Sequence, residues 1–265
     1  MQNVPVGGFR AALEALLGAD WPVGSSFLAC GMVGSRQGWL EVPYLDCPAD
    51  LAALAAALAR VGDTAISIVP GLISHDDGVP DVMRGEETQI LGALEDGAAR
   101  RVIILPGTHS KWALASASGI ETFATFMTGE LYGVLREHSI LGRLASEGAD
   151  AAAFERGVRF GVQSDIGLSR ALFSTRTLAL TGALAPAGVA DYLSGLLIGA
   201  EIAAGHRWLE ERAAQALPIT IVGDAMLCTR YRRALALAGV DADVGPGDAA
   251  ARGLWRIARQ ARLVA

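Results

Sequence analysis

The sequence predicts an α/β protein built around a largely parallel sheet. Four short apolar runs rich in β-formers each lead directly into a glycine or a proline, and they lie at 27–30, 66–69, 102–105 and 219–222. Because these runs are almost continuously apolar, they are typical of strands covered by helices on both faces. Helical patterns lie between the runs, as expected when crossover helices join parallel strands.

Composition bounds the classes of function. The chain has 265 residues, of which 52% are hydrophobic and 19% charged, with a net charge of -6. These values exclude a disordered chain and a collagen, and they give no general attraction for nucleic acid or anionic membranes. Any anion must therefore be bound locally. Of the 22 basic residues, Lys111 is the one lysine.

Cysteine usage and the chain start indicate a cytoplasmic protein. The 3 cysteines have no C-x-x-C spacing, which favours a reducing compartment and argues against a structural metal. The start resembles no signal peptide. The longest apolar stretch, 192–204, contains Glu201 and is too short to span a bilayer. We expect neither nucleic-acid nor membrane partners.

Helical patterns complete the architecture. They are predicted at 9–17, 48–60, 81–94, 128–145, 188–212, 227–237 and 248–262. The long pattern at 188–212 carries Gly195, Gly199 and Gly205, which would allow another helix to approach closely. We interpret this helix as a core element, with a homodimer face as the alternative.

The second half has a readable element order. Strand 102–105 is followed by a turn, alternating segments at 112–116 and 120–127, helices, strand 219–222, a helix, an apolar stretch near 241–244 and a last helix. That order is β-β-β-α-β-α-β-α, a three-strand meander continued by crossover units. The first half shows only α-β-α-β. If the halves are duplicates, the first lacks its opening three strands.

Ligands of open α/β sheets collect beyond the carboxyl ends of the strands, so the loops that follow the runs are candidate sites. The loop after Cys30 contains Ser35, Arg36 and Gln37, and Arg36 could pair with a ligand carboxylate. The alternative is a glycine-rich turn with a solvated Arg36. The loop at 75–77 could form a metal or acid-base cluster from His75, Asp76 and Asp77, but an exposed turn is favoured.

The predicted helix at 81–94 carries Arg84, Glu86, Glu87 and Gln89 near its start. One glutamate could act as a general base towards a substrate hydroxyl, oriented by Arg84 or Gln89. Alternatively, both glutamates only stabilise the positive end of the helix dipole. These residues alone do not decide between the two interpretations.

Two further loops could bind phosphate and nucleotide. Residues 106–112 lie between two predicted strands, so they cannot form a Walker A loop, which precedes a helix. We expect a tight turn in which Gly107 allows close approach, the hydroxyls of Thr108 and Ser110 point outward, and Lys111 lies within the turn. Gly223 follows a strand and precedes a helix, where a base or ribose could lie against it.

In order and spacing, these segments resemble the 2-dehydro-3-deoxygalactonokinase family from about residue 31 to the C-terminus. The resemblance rests on Gly31-Met32-Val33-Gly34-Ser35, Val82-Met83-Arg84-Gly85-Glu86-Glu87-Thr88-Gln89, Leu105-Pro106-Gly107-Thr108-His109, Lys111-Trp112, Thr128-Gly129-Glu130-Leu131 and Leu193-Ser194-Gly195-Leu196-Leu197-Ile198-Gly199-Ala200-Glu201. Such kinases belong to the actin-like, hexokinase-like ATPase superfamily. The resemblance therefore implies two ribonuclease-H-like lobes that hold ATP and substrate, which agrees with the strand order read from the second half.

The resemblance also implies an activity and its residues. The expected reaction is phosphorylation of 2-dehydro-3-deoxy-D-galactonate at its 6-hydroxyl by ATP and Mg²⁺, a step of D-galactonate breakdown. Glu87 is the implied base, with Glu86 as the alternative and Arg84 beside them. Ser35, Arg36 and Gln37 would face the sugar acid. The implied nucleotide-binding residues are Gly107, Thr108, His109, Lys111, Gly223 and Asp224, and the metal ligands are unknown.

The implied domains are an N-terminal lobe at 1–80, a linking helix at 81–97 and a nucleotide-binding lobe at 98–265. The family begins with a phosphate-binding hairpin carrying an Asp-x-Gly-Thr or Asp-x-Gly-Ser sequence, and neither occurs here. We therefore expect a first lobe that is truncated and a chain that phosphorylates poorly. The alternatives are a non-catalytic sugar-acid or nucleotide binding module, and a kinase for another 2-keto-3-deoxy acid such as the gluconate epimer.

Overall fold

The computed structural model describes residues 4, 7–17, 25–76 and 78–264, so Asp77 of the predicted 75–77 turn lies outside the described residues. It confirms a mixed α/β protein. The α-helices are α1 (Phe9–Leu17), α2 (Leu51–Ala56), α3 (Glu86–Ala93), α4 (Thr128–His138), α5 (Ala151–Gln163), α6 (Leu168–Leu180), α7 (Val189–Glu210), α8 (Ala225–Leu237) and α9 (Ala249–Gln260). The predicted helices at 9–17, 188–212, 227–237 and 248–262 are confirmed to within about two residues at each end.

The β-strands include every predicted run and several short additions. They are β1 (Phe27–Ala29), β2 (Leu45–Asp46), β3 (Ala59–Arg60), β4 (Ile66–Ile68), β5 (Leu72–Ser74), β6 (Asp81–Met83), β7 (Arg101–Leu105), β8 (Ser110–Ser116), β9 (Gly119–Phe126), β10 (Ile219–Ile221) and β11 (Ala242–Val244). One sheet has the order β11-β10-β7-β8-β9, with β10 parallel to both β7 and β11. This order confirms the predicted meander continued by crossover units.

Three predicted helices differ from the structure. Residues 81–83 form strand β6, and helix α3 begins only at Glu86 because Gly85, with φ of 111°, breaks the helical path. Helix α2 is shorter than 48–60, whose end forms β3. Helix α4 ends at His138 and is followed by a single 3₁₀ turn, Gly142–Leu144. The sequence patterns did not predict α5 or α6.

The described chain divides into two compact units. The first comprises Met1–Arg100, Leu114–Phe123 and Asp248–Ala265, and the second comprises Arg101–Ala113 and Ala124–Gly247. The predicted division assigns the sugar acid to residues 1–80 and the nucleotide to residues 98–265, with 81–97 as the linking helix. The compact units do not test that assignment, so it stays a prediction.

The first unit contains two three-stranded sheets, β1-β4-β3 and β2-β5-β6, each with one parallel and one antiparallel pair. Its C-terminal helix α9 crosses α3 at glycines. A Cβ on Gly92 would lie 1.8 Å from the Ala249 carbonyl oxygen, and a Cβ on Gly253 would lie 1.8 Å from the Thr88 carbonyl oxygen. Helix α9 therefore supports the first turns of α3, which carry the candidate base.

The second unit is built around α7. A Cβ on Gly195 would lie 2.1 Å from the Phe154 carbonyl oxygen, and a Cβ on Gly199 would lie 2.3 Å from that of Val158, both in α5. Gly205 lies against the Trp112 ring. The predicted close approach is confirmed, and these glycines face the core of the unit, not a homodimer partner.

Helix α7 is also the one segment of the described chain that could cross a membrane by length and composition. That segment is Pro186–Glu210, and 61% of its most apolar window is buried inside the protein. A core helix of a globular unit passes the same test. Its packing against α5 and Trp112 accounts for its apolar composition.

Candidate active site

The start of helix α3 places two glutamates in contact with backbone N–H groups. Glu86 Oε2 accepts from the Arg84 N–H at 3.0 Å, and Glu87 Oε2 accepts from the Gly85 N–H at 2.6 Å. The Thr88 hydroxyl donates to Glu87 Oε1 at 3.0 Å. Both glutamates thus stabilise the helix N-terminus, as expected if they interact with the positive end of the helix dipole.

Glu87 has a further property that suits a general base. Its side chain is 0% exposed, whereas Glu86 is only half-buried. Burial raises the pKa of Glu87 to about 7, although the hydrogen bonds from Gly85 and Thr88 oppose that rise. A carboxyl group with a pKa near 7 can accept a proton at neutral pH and release it again.

Arg84 does not orient the glutamates in the way the sequence suggested. Its Nη2 donates to the Val42 carbonyl oxygen at 2.7 Å, and its guanidinium lies 4.3 Å from the centroid of the Tyr44 ring. Within the described residues, Nε and Nη1 are buried without a hydrogen-bond partner. Its hydrogen bond to Glu86 comes from the backbone N–H, and the guanidinium points towards the loop after β1.

The predicted sugar-acid loop lies next to this guanidinium. It begins with a 3₁₀ turn, Gly31–Gly34, and a Cβ on Gly34 would lie 3.0 Å from Arg84 Nη1. The Ser35 hydroxyl donates to the Met32 carbonyl oxygen at 2.8 Å, while Arg36 and Gln37 are exposed. The first unit therefore brings the predicted substrate loop and the start of α3 together.

In the second unit, the predicted phosphate turn joins β7 to β8. A Cβ on Gly107 would meet nothing within 4 Å, and Thr108 and His109 are exposed. Gly129, at the start of α4, packs against the turn, since its Cβ would lie 2.3 Å from the Gly107 carbonyl oxygen. The backbone of this turn is thus open on one side and supported on the other.

The expected position of Lys111 is wrong. Strand β8 begins at Ser110, so Lys111 is a strand residue, and it is 4% exposed. The Ser110 hydroxyl does not point outward either, because it is buried and donates to Glu201 Oε1 at 2.7 Å. The turn is shorter than predicted because β8 continues two residues closer to Gly107 than the alternation from Trp112 indicated.

Gly223 and Asp224 lie at the end of β10, beside the phosphate turn. Gly223 has φ of 151°, and its Cβ would lie 3.6 Å from the Pro106 carbonyl oxygen. The structure therefore brings Gly223 to the turn, as expected for adjacent parallel strands. Asp224 Oδ1 caps helix α8, accepting from the N–H groups of Met226 and Leu227.

A cavity of about 260 Å³ opens beside Gly107 in the second unit. Its walls include Gly129, Ser194, Arg230 and Tyr231. Sequence reasoning missed Arg230, which donates to Asp191 Oδ1 at 2.7 Å and stacks on Phe154 at 4.1 Å. The available signal was its position two helical turns after Gly223.

Beneath the turn, Glu201 forms a buried network that sequence reasoning also missed. Glu201 Oε1 accepts from the Ser110 hydroxyl and from Trp112 Nε1 at 2.8 Å, and Oε2 accepts from the Tyr231 hydroxyl at 2.7 Å. Thr128 donates to the same carboxylate, and burial raises the pKa of Glu201. The sequence feature that could have indicated this network is the single glutamate in the apolar stretch 192–204.

Comparison with known proteins identifies the family. The sequence pattern of the family described as 2-keto-3-deoxy-galactonokinase matches residues 1–257. The chain belongs to this family. It is 40% identical over 267 residues to the probable 2-dehydro-3-deoxygalactonokinase of Rhizobium meliloti, an alignment that covers 94% of this chain and 85% of that protein.

Two more relatives agree. The chain is 40% identical over 243 residues to the 2-dehydro-3-deoxygalactonokinase of Escherichia coli, covering 91% of this chain and 80% of that protein. The crystal structure of a protein assigned as a 2-dehydro-3-deoxygalactonokinase from Sinorhizobium meliloti superposes with a TM-score of 0.88 at 37% identity, covering 98% of this chain and 88% of that one. The resemblance read from the galactonokinase motifs is therefore confirmed.

Proposed function

We propose that this chain is an ATP-dependent kinase that phosphorylates 2-dehydro-3-deoxy-D-galactonate at its 6-hydroxyl in D-galactonate catabolism. The observation that carries the proposal is the 40% identity to two kinases of that name over at least 91% of the chain. The proposal includes the actin-like two-lobed fold and the cytoplasmic location that the sequence predicts. It also takes ATP and the sugar acid as partners.

In this proposal Glu87 accepts the proton of the 6-hydroxyl as that oxygen attacks the γ-phosphorus of ATP. Its raised pKa supports the assignment, because the group is partly ionised at neutral pH and becomes a neutral acid after the transfer. Glu86 is the alternative base. Arg84 would support the sugar-acid loop, on which its guanidinium packs.

The second unit would bind ATP. The open backbone of Gly107 and Thr108 can donate N–H groups to phosphate oxygens, and Gly223 would lie against the adenosine. His109 lies in the same turn. Asp224 and Lys111 would support nucleotide binding indirectly. Asp224 caps α8, and Lys111 lies within β8. Arg230, on the wall of the cavity beside Gly107, is a further candidate contact for the nucleotide.

Mg²⁺ is expected for a kinase, but the carboxylates described near the phosphate turn already have other partners. Mg²⁺ usually binds through one or two carboxylates and the substrate phosphates. Near the phosphate turn, Glu130 is paired with His109 and Asp224 caps α8. Within residues 25–76 and 78–264, no three His, Cys, Asp or Glu side chains are grouped to hold a metal. We assign no residue to Mg²⁺ and no step to it.

The proposal is tested by ADP release with 2-dehydro-3-deoxygalactonate and with its gluconate epimer. The assay is run on this chain and on a chain extended upstream in frame. We expect ADP release that depends on the galactonate derivative and is weaker with the epimer. A preference for the epimer would indicate that the natural substrate is another 2-keto-3-deoxy acid. If both chains are inert but bind ATP or the sugar acid, the binding-module alternative is correct.

The exposed turn after β1 gives one prediction for substrate binding. Replacing Arg36 with glutamine is expected to raise the KM for the sugar acid by about tenfold to a hundredfold, the cost of one bidentate carboxylate contact. The KM for ATP is expected to stay within about twofold of the wild-type value. Arg10→Gln, which removes the same charge from an exposed residue of α1, is the control. An unchanged KM for the sugar acid would assign its carboxylate to another residue.

A further inference from the structure

The segment Thr128–Leu131 opens helix α4 and belongs to the family motifs, yet the proposed reaction gives it no role. Its residue Gly129 lies directly behind the phosphate turn, with its Cβ position 2.3 Å from the Gly107 carbonyl oxygen and 2.9 Å from Thr108 Cα. No larger side chain fits there. The first turn of α4 and the phosphate turn therefore form one assembly within the second unit.

Glu130 holds that turn twice. Its backbone N–H donates to the Thr108 carbonyl oxygen at 2.9 Å. Its side-chain Oε2 forms a short hydrogen bond with His109 Nε2. The two side chains are 48% and 41% exposed, and an ion pair at such a position contributes little to folding stability. We therefore expect the side-chain pair to fix the position of the imidazole and to contribute little to stability.

His109 is the residue of the turn through which a charge could reach a phosphate. Of residues 106–110, His109 alone can carry a positive charge. The next residue, Lys111, is buried in β8. A carboxylate only accepts, so the pair places a proton on Nε2. When the ring is protonated, Nδ1 carries the second N–H and can donate to a phosphate oxygen.

We propose that Glu130 is a positioning residue that acts through His109, holding its imidazole so that Nδ1–H binds a phosphate of ATP. The inference rests on the proposed kinase function and adds a nucleotide contact with its support. It predicts that the two side chains act as one unit, because the carboxylate of Glu130 would influence ATP only through the ring that it holds.

A double-mutant cycle tests the proposal, using Glu130→Gln, His109→Asn and the double variant. Glutamine retains the backbone N–H to Thr108. We expect each single variant to weaken ATP binding and raise the KM for ATP by about tenfold, and the double variant to be no weaker than the weaker single variant. The KM for the sugar acid and the melting temperature should not change. Glu137→Gln, on the same helix beside His138, is the control and should have no effect.

Binding of a non-hydrolysable ATP analogue, measured by calorimetry, keeps the two proposals separable. If the wild type binds the analogue but transfers no phosphate to the sugar acid, the kinase proposal fails and the cycle is still read from the dissociation constants. Multiplicative effects in the double variant would overturn the inference. So would equal losses of ATP affinity, sugar-acid affinity and stability in Glu130→Gln. A wild type that binds no ATP analogue overturns both proposals.

Discussion

Replacing Glu87 with glutamine is expected to abolish phosphoryl transfer while making the folded protein more stable above pH 7. Glutamine retains the size and the hydrogen-bond acceptor of the side chain but cannot accept the proton of a hydroxyl. Loss of a general base typically lowers kcat by about 10²- to 10⁴-fold. Substrate binding should change little, because Glu87 contacts Gly85 and Thr88 in the folded chain.

The stability gain follows from the raised pKa. The pKa of Glu87 is about 7 in the folded protein against an ordinary 4.5, so the folded state binds the proton more tightly than the unfolded chain does. The stability from this proton is complete below pH 4.5, falls as the pH rises, and is lost above pH 7, at a cost of up to about 3 kcal/mol. Glutamine removes that cost.

Thermal unfolding at pH 5 and pH 8, together with kcat at pH 8, checks this prediction. Glu87→Gln should gain stability over the wild type at pH 8 and little at pH 5, and the wild-type kcat should fall as the pH drops below 7. Glu86→Gln is the matched control, expected to remain active. If Glu87→Gln keeps more than a tenth of the wild-type kcat and Glu86→Gln does not, the base is Glu86.

Replacing Glu201 with alanine is expected to destabilise the second unit severely. The change leaves the buried donors of Ser110, Trp112 and Tyr231 without their acceptor. Each unpaired buried donor costs about 1–3 kcal/mol, so the three together cost about 3–9 kcal/mol, a large part of the stability of an ordinary domain. Because Ser110 directly follows the phosphate turn, ATP affinity should also fall.

Urea unfolding measures this effect against a control on the same helix. Glu210→Ala changes an exposed residue at the end of α7 and should shift the free energy of unfolding by no more than about 0.5 kcal/mol. Glu201→Gln should fall between the two, since its amide oxygen still accepts from Ser110 and Trp112. A Glu201→Ala variant as stable as Glu210→Ala would show that the network does not hold the turn.

The sequence predicted the sheet well because its strands are continuous apolar runs that end at glycine or proline. Strands β7 and β10 were found in this way, and the adjacency of Gly223 to the phosphate turn followed from their parallel order. Helix α5 was missed because Gly157 and Gly161 weaken its helical pattern. Those glycines are explained only by the close approach of α7, which the structure reveals.

The candidate site could be proposed from sequence where its residues are neighbours along the chain, and not where they are distant along the chain. Glu86 and Glu87 were recognised from the start of one helix. The partners of Glu201 come from three other elements, up to 91 residues away in the chain, and no local pattern joins them. Lys111 was placed in the turn because it is the one lysine and lies near Gly107 in the sequence. Composition does not predict where a strand begins.

The central claim is that this chain transfers a phosphoryl group from ATP to a sugar acid. The most direct measurement is ³¹P NMR of the chain incubated with Mg-ATP and 2-dehydro-3-deoxy-D-galactonate. We predict that the phosphomonoester signal of a 6-phosphate grows in step with ADP and is absent with Glu87→Gln. Formation of ADP and inorganic phosphate without a phosphorylated sugar acid would contradict the claim.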